Sequence, residues 1–162
     1  MEQEKLDLKQ EYNKIKSKYS LPEFEKLEKD FEFSHIKENL KDKSYLLRMV
    51  RRHIYNKIVF LSQVLERILF PNSSSLVLIN ESKFFSEKQH HEIFKIYKVL
   101  MKYERLSLSL DILNDETKNA DFIKEIYKKW PNLRDYAQKT MLELSQRWEK
   151  EEQVEERSGY LG

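Results

Sequence analysis

The chain has 162 residues, 40% hydrophobic and 36% charged, with 30 Lys and Arg against 28 Asp and Glu. So close a balance gives no strong global field, and any nucleic-acid contact would have to rest on a local patch. Only two glycines are present, Gly159 and Gly162, which excludes a P-loop or dinucleotide fingerprint from the body of the chain. The absence of cysteine excludes a disulfide framework, Cys-ligated zinc and thiol catalysis.

Nine Phe, nine Tyr and two Trp argue against disorder. The charged start, MEQEKLDLKQ, does not read as a secretory signal, and no run approaches about 18 apolar residues. A cytoplasmic protein without a membrane span is therefore expected, and no cofactor is implied.

In chain order, Leu8, Tyr12, Ile15 and Tyr19 recur at four, three and four, predicting a first amphipathic helix. Ser20 with Glu23 predicts a capping box for a short second helix carrying Phe24, Leu27 and Phe31, with Pro22 in its first turn. Ser34 suits the start of a third element with Ile36 and Leu40, and KDKS at 41–44 reads as a break. A central helix is predicted from about Tyr45 to Phe70. Its stripe is Leu47, Val50, Ile54, Ile58, Leu61, Leu65 and Ile68, and Pro71 ends it.

PNSSS at 71–75 is a loop, and LVLIN at 76–80 reads as irregular or short helical structure. Ser86 with Gln89 predicts the cap of a second long helix with the stripe Ile93, Phe94, Tyr97, Leu100 and Met101, continuing through Leu108 toward Ile112. NDETKNAD at 114–121 reads as an exposed turn. Phe122 to Trp130 predicts a short helix that stops at Pro131. Asn132 and Asp135 suit the start of a final helix with Leu133, Tyr136, Ala137, Met141, Leu144 and Trp148 inward. The expected fold is all-α, an irregular multi-helix bundle with two long helices. It forms a single helical domain over 1–148, with a frayed or disordered acidic tail over 149–162.

Arg48, Arg51, Arg52 and Lys57 form a basic cluster on the central helix. These are the residues expected to contact a partner or nucleic acid, since arginine supplies a bidentate fork and lysine a point charge. The alternative is that they flank a core helix and pair with nearby carboxylates. Arg48 with His53 also matches the R-x₄-H spacing of HEPN-type helical ribonucleases, whose arginine stabilises phosphate charge while the histidine moves a proton. The residue after the arginine is Met49, where those enzymes usually have a polar one.

Glu87 and His90 make one E-x-x-H, the repeating unit of a di-iron bundle. A single copy in a first helical turn gives no metal site, and His35 and Glu38 reverse the order. Asp111, Asp115, Glu116 and Asp121 read as solvated charge, with no glycine for a calcium loop. Phe84, Phe85, Tyr97, Tyr103, Trp130, Tyr136 and Trp148 could stack bases, but they lie at helical spacing among aliphatics and suit a core or an interface.

The segments LKQEYNKIKSKYSLPEFEKLEKDFEF and RRHIYNKIVFLSQ resemble the helical domain of archaeal GINS replication subunits. The family's leucine and aspartate-phenylalanine step falls on Leu27 and Asp30-Phe31. Its basic helix falls around Arg51, Arg52, Lys57 and Ile58, and FFSEKQHHEIFKIYKVLMKYE matches its later capped helix. The resemblance spans residues 8–110 and implies a non-catalytic scaffold in a replicative helicase complex. Glu32 departs from the family's tyrosine, and residues 114–162 read as helical where the family carries a small strand-rich domain.

No set of polar residues converges by spacing. The function expected is a non-catalytic helical adaptor or complex subunit with a protein partner. A nucleic-acid-associated protein using the basic helix, GINS-like or not, is the alternative, and a HEPN-like ribonuclease is a third. The sequence assigns no oligomeric state.

Overall fold

The structure is a computed structural model, describing residues 8–33, 45–113 and 115–159, with side chains described as far as 151. The expected third element, His35, Glu38 and the break at 41–44 lie outside the described residues. Among the described residues there are six α-helices: α1 Leu8–Tyr19, α2 Phe24–Phe31, α3 Leu46–Leu69, α4 Leu76–Lys83, α5 Glu87–Leu113 and α6 Glu116–Gly159. No strand occurs among the described residues. The fold is all-α, and the two long helices expected are α3 and α5. No helix of the described residues is long and apolar enough to cross a membrane.

The chain divides into two compact units. Unit 1 comprises residues 1–60 and 101–130, and unit 2 residues 61–100 and 131–162. In unit 1, α1 and α2 contribute Leu8, Tyr12, Phe24, Leu27 and Phe31 to the core. They are buried with Leu47, Val50, Ile54 and Ile58 of α3, Tyr103 and Leu110 of α5, and Phe122, Ile123, Ile126 and Trp130 of α6. Rings meet throughout: Tyr12 lies edge-on to Phe24 at 5.5 Å, and Phe31 sits 4.7 Å from Trp130.

Ser20 does not cap α2. It adopts a left-handed conformation, φ 51, and ends α1 instead, with the Leu21 N–H donating to the Lys16 carbonyl at 3.0 Å. The residue that precedes α2 is Glu23, whose side chain makes no capping bond and instead receives Lys16 Nζ at 2.6 Å. Tyr12 Oη donates to the Pro22 carbonyl at 2.8 Å, fixing the link between the two helices from inside the core.

In unit 2 the core is smaller: Leu65, Ile68, Phe85, Ile93, Leu100, Leu133 and Ala137 are buried. Ser75 caps α4 by accepting from the Leu78 N–H at 3.4 Å, so the 76–80 segment is a short helix. The capping box of α5 forms as expected, with the Ser86 N–H on Gln89 Oε1 at 2.9 Å and the Gln89 N–H on Ser86 Oγ at 3.3 Å. Edge-on packing of Phe84 against Trp148 at 5.4 Å, with Trp148 Nε1 donating to Glu81 at 3.0 Å, ties α4 to α6.

The boundaries around α6 differ from the sequence expectation twice. The 114–121 stretch is already helical from Glu116, because Asp115 Oδ1 accepts from the Lys118 N–H at 3.1 Å and caps it. Pro131 then lies inside α6 instead of ending the preceding helix. A proline there removes one backbone bond and crowds the turn before it, at a cost of about 3 kcal/mol. Ile123, Ile126 and Trp130 before it, and Leu133 and Ala137 after it, are all buried in helical register, and that burial offsets the loss.

Candidate functional site

Arg51 belongs to the core register of α3, four residues after Leu47 and three before Ile54, and its side chain is fully buried, at 0% exposure. Burying a guanidinium requires that its donors be used. Nε donates to Asn119 Oδ1 at 2.6 Å, Nη1 to the Ser107 carbonyl at 2.7 Å and to Ser107 Oγ, and Nη2 to Asp111 Oδ1. Asn119 is held ready by its own amide, which donates to the Asp115 carbonyl at 2.8 Å. Burial lowers the Arg51 pKa against the pull of Asp111. An arginine begins so high that it stays charged.

Two more arginines reach the same carboxylate oxygen. Arg48 Nε donates to Asp111 Oδ1 at 3.3 Å and its Nη2 to the Asp111 carbonyl at 3.0 Å, while Arg52 Nε reaches Oδ1 at 2.9 Å. Desolvation raises the Asp111 pKa, but hydrogen bonds from Arg52 and Arg51 outweigh it and carry the group below the ordinary aspartate value. Three guanidiniums around one carboxylate leave an excess of positive charge. Arg52, 53% exposed, presents it to solvent, and Arg48 does so less.

Of the four residues expected to contact a partner, the structure therefore brings Arg48, Arg51 and Arg52 together. Arg51 is withdrawn from the surface as a structural centre. Lys57 stands apart, with Nζ on Glu32 Oε2 at 2.6 Å. Glu32 ends α2 in a left-handed conformation, φ 57, so Lys57 clamps a strained turn. His53 lies beside that turn. Its Nε2 is 2.5 Å from the Phe31 carbonyl, which can only accept, so Nε2 carries the proton and donates. The His53 ring packs on Phe33 at 5.3 Å.

The other constellations resolve into local structure. His90 uses both ring nitrogens, Nδ1 on the Ser86 carbonyl at 3.1 Å and Nε2 on Ser82 Oγ at 3.1 Å. No group of three or more His, Asp or Glu able to hold a metal occurs among the described residues. Asp121 pairs with Lys124 at 2.8 Å. Of the aromatics that could stack bases, Phe85, Tyr103 and Trp130 are buried. Tyr97 joins Phe70 and Phe94 in a trio on unit 2, with ring separations of 5.9 and 6.3 Å, and Phe70 and Phe94 are exposed.

Beside the arginines, α5 carries a short apolar strip. Leu108 is 41% exposed and Ile112 85% exposed. A groove of about 340 Å³ in unit 2 is lined by Phe85, Ile93, Tyr136 and Thr140 together with the charged Lys88, Glu92, Lys139 and Glu143. Burial, then Glu92 and Glu143, push the Tyr136 phenol up.

Comparison of the chain with protein-family models, curated proteins and solved structures gives no match.

Sequence reasoning missed Ser107 and Asn119 as the arginine's partners. A signal existed. Ser107 follows Tyr103 by four and precedes Leu110 by three, and Asn119 precedes Ile123 and Ile126 by four and seven, so both occupy core positions. Polar residues in core register on two helices, with an arginine in core register on a third, are the pattern of an internal polar cluster.

Proposed function

We propose that the protein is a non-catalytic helical adaptor or subunit of a macromolecular complex, working in the cytoplasm through a protein partner. The single observation that carries this reading is the use made of the polar residues at the basic helix. Arg51, Ser107, Asn119 and Asp111 bond one another, and His53 bonds the Phe31 carbonyl, so the side chains best suited to chemistry are committed to holding helices together. What remains outward is charge and aliphatic or aromatic surface, and those are the components of recognition.

The likeness to GINS helical domains supports the further proposal that the complex is of a replicative kind. α6 is helical in the region where that family has strands, so the proposal rests on residues 8–110 alone.

Purification of the tagged full chain from its native source, with a partner retained at fixed stoichiometry through gel filtration, is the result expected. Cleavage of RNA by the purified protein in metal-free buffer, abolished by His53→Ala, would replace this reading with the ribonuclease one.

A further inference from the structure

We propose that the surface formed by Arg52 on α3 with Arg105, Leu108 and Ile112 on α5 docks an acidic, aliphatic segment of a partner protein. This deepens the non-catalytic reading and rests on it. Residues 105, 108 and 112 are spaced by three and four, which puts them on one face of α5. All three project into solvent: Arg105 is 65% exposed, with Leu108 and Ile112 as above. Asp111 anchors Arg52 beside this strip, one residue from Ile112 and three from Leu108.

Charge complementarity selects the occupant. Around the strip, Arg48 and Arg52 share Asp111 and Arg105 pairs with Glu104, three cations to two anions among these ion pairs of the described residues, with the buried Arg51 adding its charge behind Asp111. A segment carrying Asp or Glu on either side of aliphatic anchors would pair with Arg52 and Arg105 while covering Leu108 and Ile112. A second copy meeting the first through the same patch would set arginine against arginine. A nucleic-acid strand would find two aliphatic side chains, which cannot stack on bases, and a carboxylate at the centre of the arginines.

A randomised peptide library displayed on phage, selected against the immobilised full-length protein, tests the assignment. The enriched peptides should combine Asp or Glu with Leu, Ile or Val. Their affinity should fall at least about tenfold in Ile112→Asp and in Arg52→Glu, with far-UV circular dichroism unchanged. Added salt should weaken wild-type binding and shrink the Arg52→Glu effect. Should either variant lose helicity, Leu108→Ser and Arg105→Gln give the same reading from the same face.

Enrichment of basic or uncharged peptides, or affinity unchanged in every variant, overturns the proposal. So does binding of oligo(dT) that is lost in Arg52→Glu and kept in Ile112→Asp, which assigns the arginines to nucleic acid. Peptide binding lost only on Phe70→Ser moves the docking surface to unit 2 and leaves the non-catalytic reading standing.

Discussion

Unit 1 buries an arginine at its centre, whereas unit 2 leaves aromatic rings at its edge. Arg51 has no exposed surface, while Phe70 and Phe94 are exposed. Residue type alone would have ordered them the other way. Helical register decided instead. Arg51 shares the inward stripe of Leu47 and Ile54 and finds Ser107, Asp111 and Asn119 opposite to use its donors. Phe70 follows the last residue of α3 and lies against the flanking rings of Phe94 and Tyr97.

The comparison breaks most sharply at Arg51. Arg51→Ala leaves the acceptors of Ser107 and Asn119 buried without a donor, and should destabilise unit 1 by about 3–5 kcal/mol. Hydrogen exchange should show the loss in α3, the second half of α5 and the first half of α6. Retained protection there would mean the buried network contributes little.

Acid should unpick the same centre. The folded-state pKa of Asp111 lies below its ordinary value, so its contribution is fully present above the ordinary aspartate range. It is lost as pH falls through the lowered folded value. Denaturant melts below about pH 4 should therefore lose stability in the wild type, with a flatter dependence in Asp111→Asn, which is weakened already at neutral pH. Parallel pH curves for the two proteins would remove Asp111 from the account.

Smaller effects sharpen the contrast. Tyr12→Phe removes the bond to the Pro22 carbonyl in unit 1, and Trp148→Phe the bond to Glu81 in unit 2. Each should cost about 1 kcal/mol by chemical denaturation, with exchange changes confined to its own unit. Smallest of all, Phe70→Ser should change stability by no more than about 0.5 kcal/mol, because the ring it removes is already wet. A larger loss would show that the aromatic trio supports the fold of unit 2.

Much of the fold was legible from periodicity. Of the stripe Leu47, Val50, Ile54, Ile58, Leu61, Leu65 and Ile68, all but the half-buried Leu61 are buried, and the Ser86–Gln89 box caps α5. Local punctuation misled where tertiary contacts overrode it. Pro131 by itself predicts a stop, but the helix continues because apolar residues on both sides of it are buried in one register. Ser20 with Glu23 has the spacing of a cap, yet its left-handed backbone closes α1. The basic cluster was visible as composition, but its division into one buried and two partly exposed arginines was not. That division depends on which residues of α5 and α6 lie opposite.

By itself, then, the sequence determined the helical class, the long central helices and the absence of glycine- and cysteine-dependent chemistry. Those follow from repeats and residue counts that any arrangement of the chain must obey. Only the tertiary structure decided that Asp111 gathers three arginines, that Asn119 completes the shell of Arg51, and that Leu108 and Ile112 stay outside. Each depends on groups about 60 residues apart in the chain meeting within hydrogen-bond distance or failing to meet, and no local spacing encodes that.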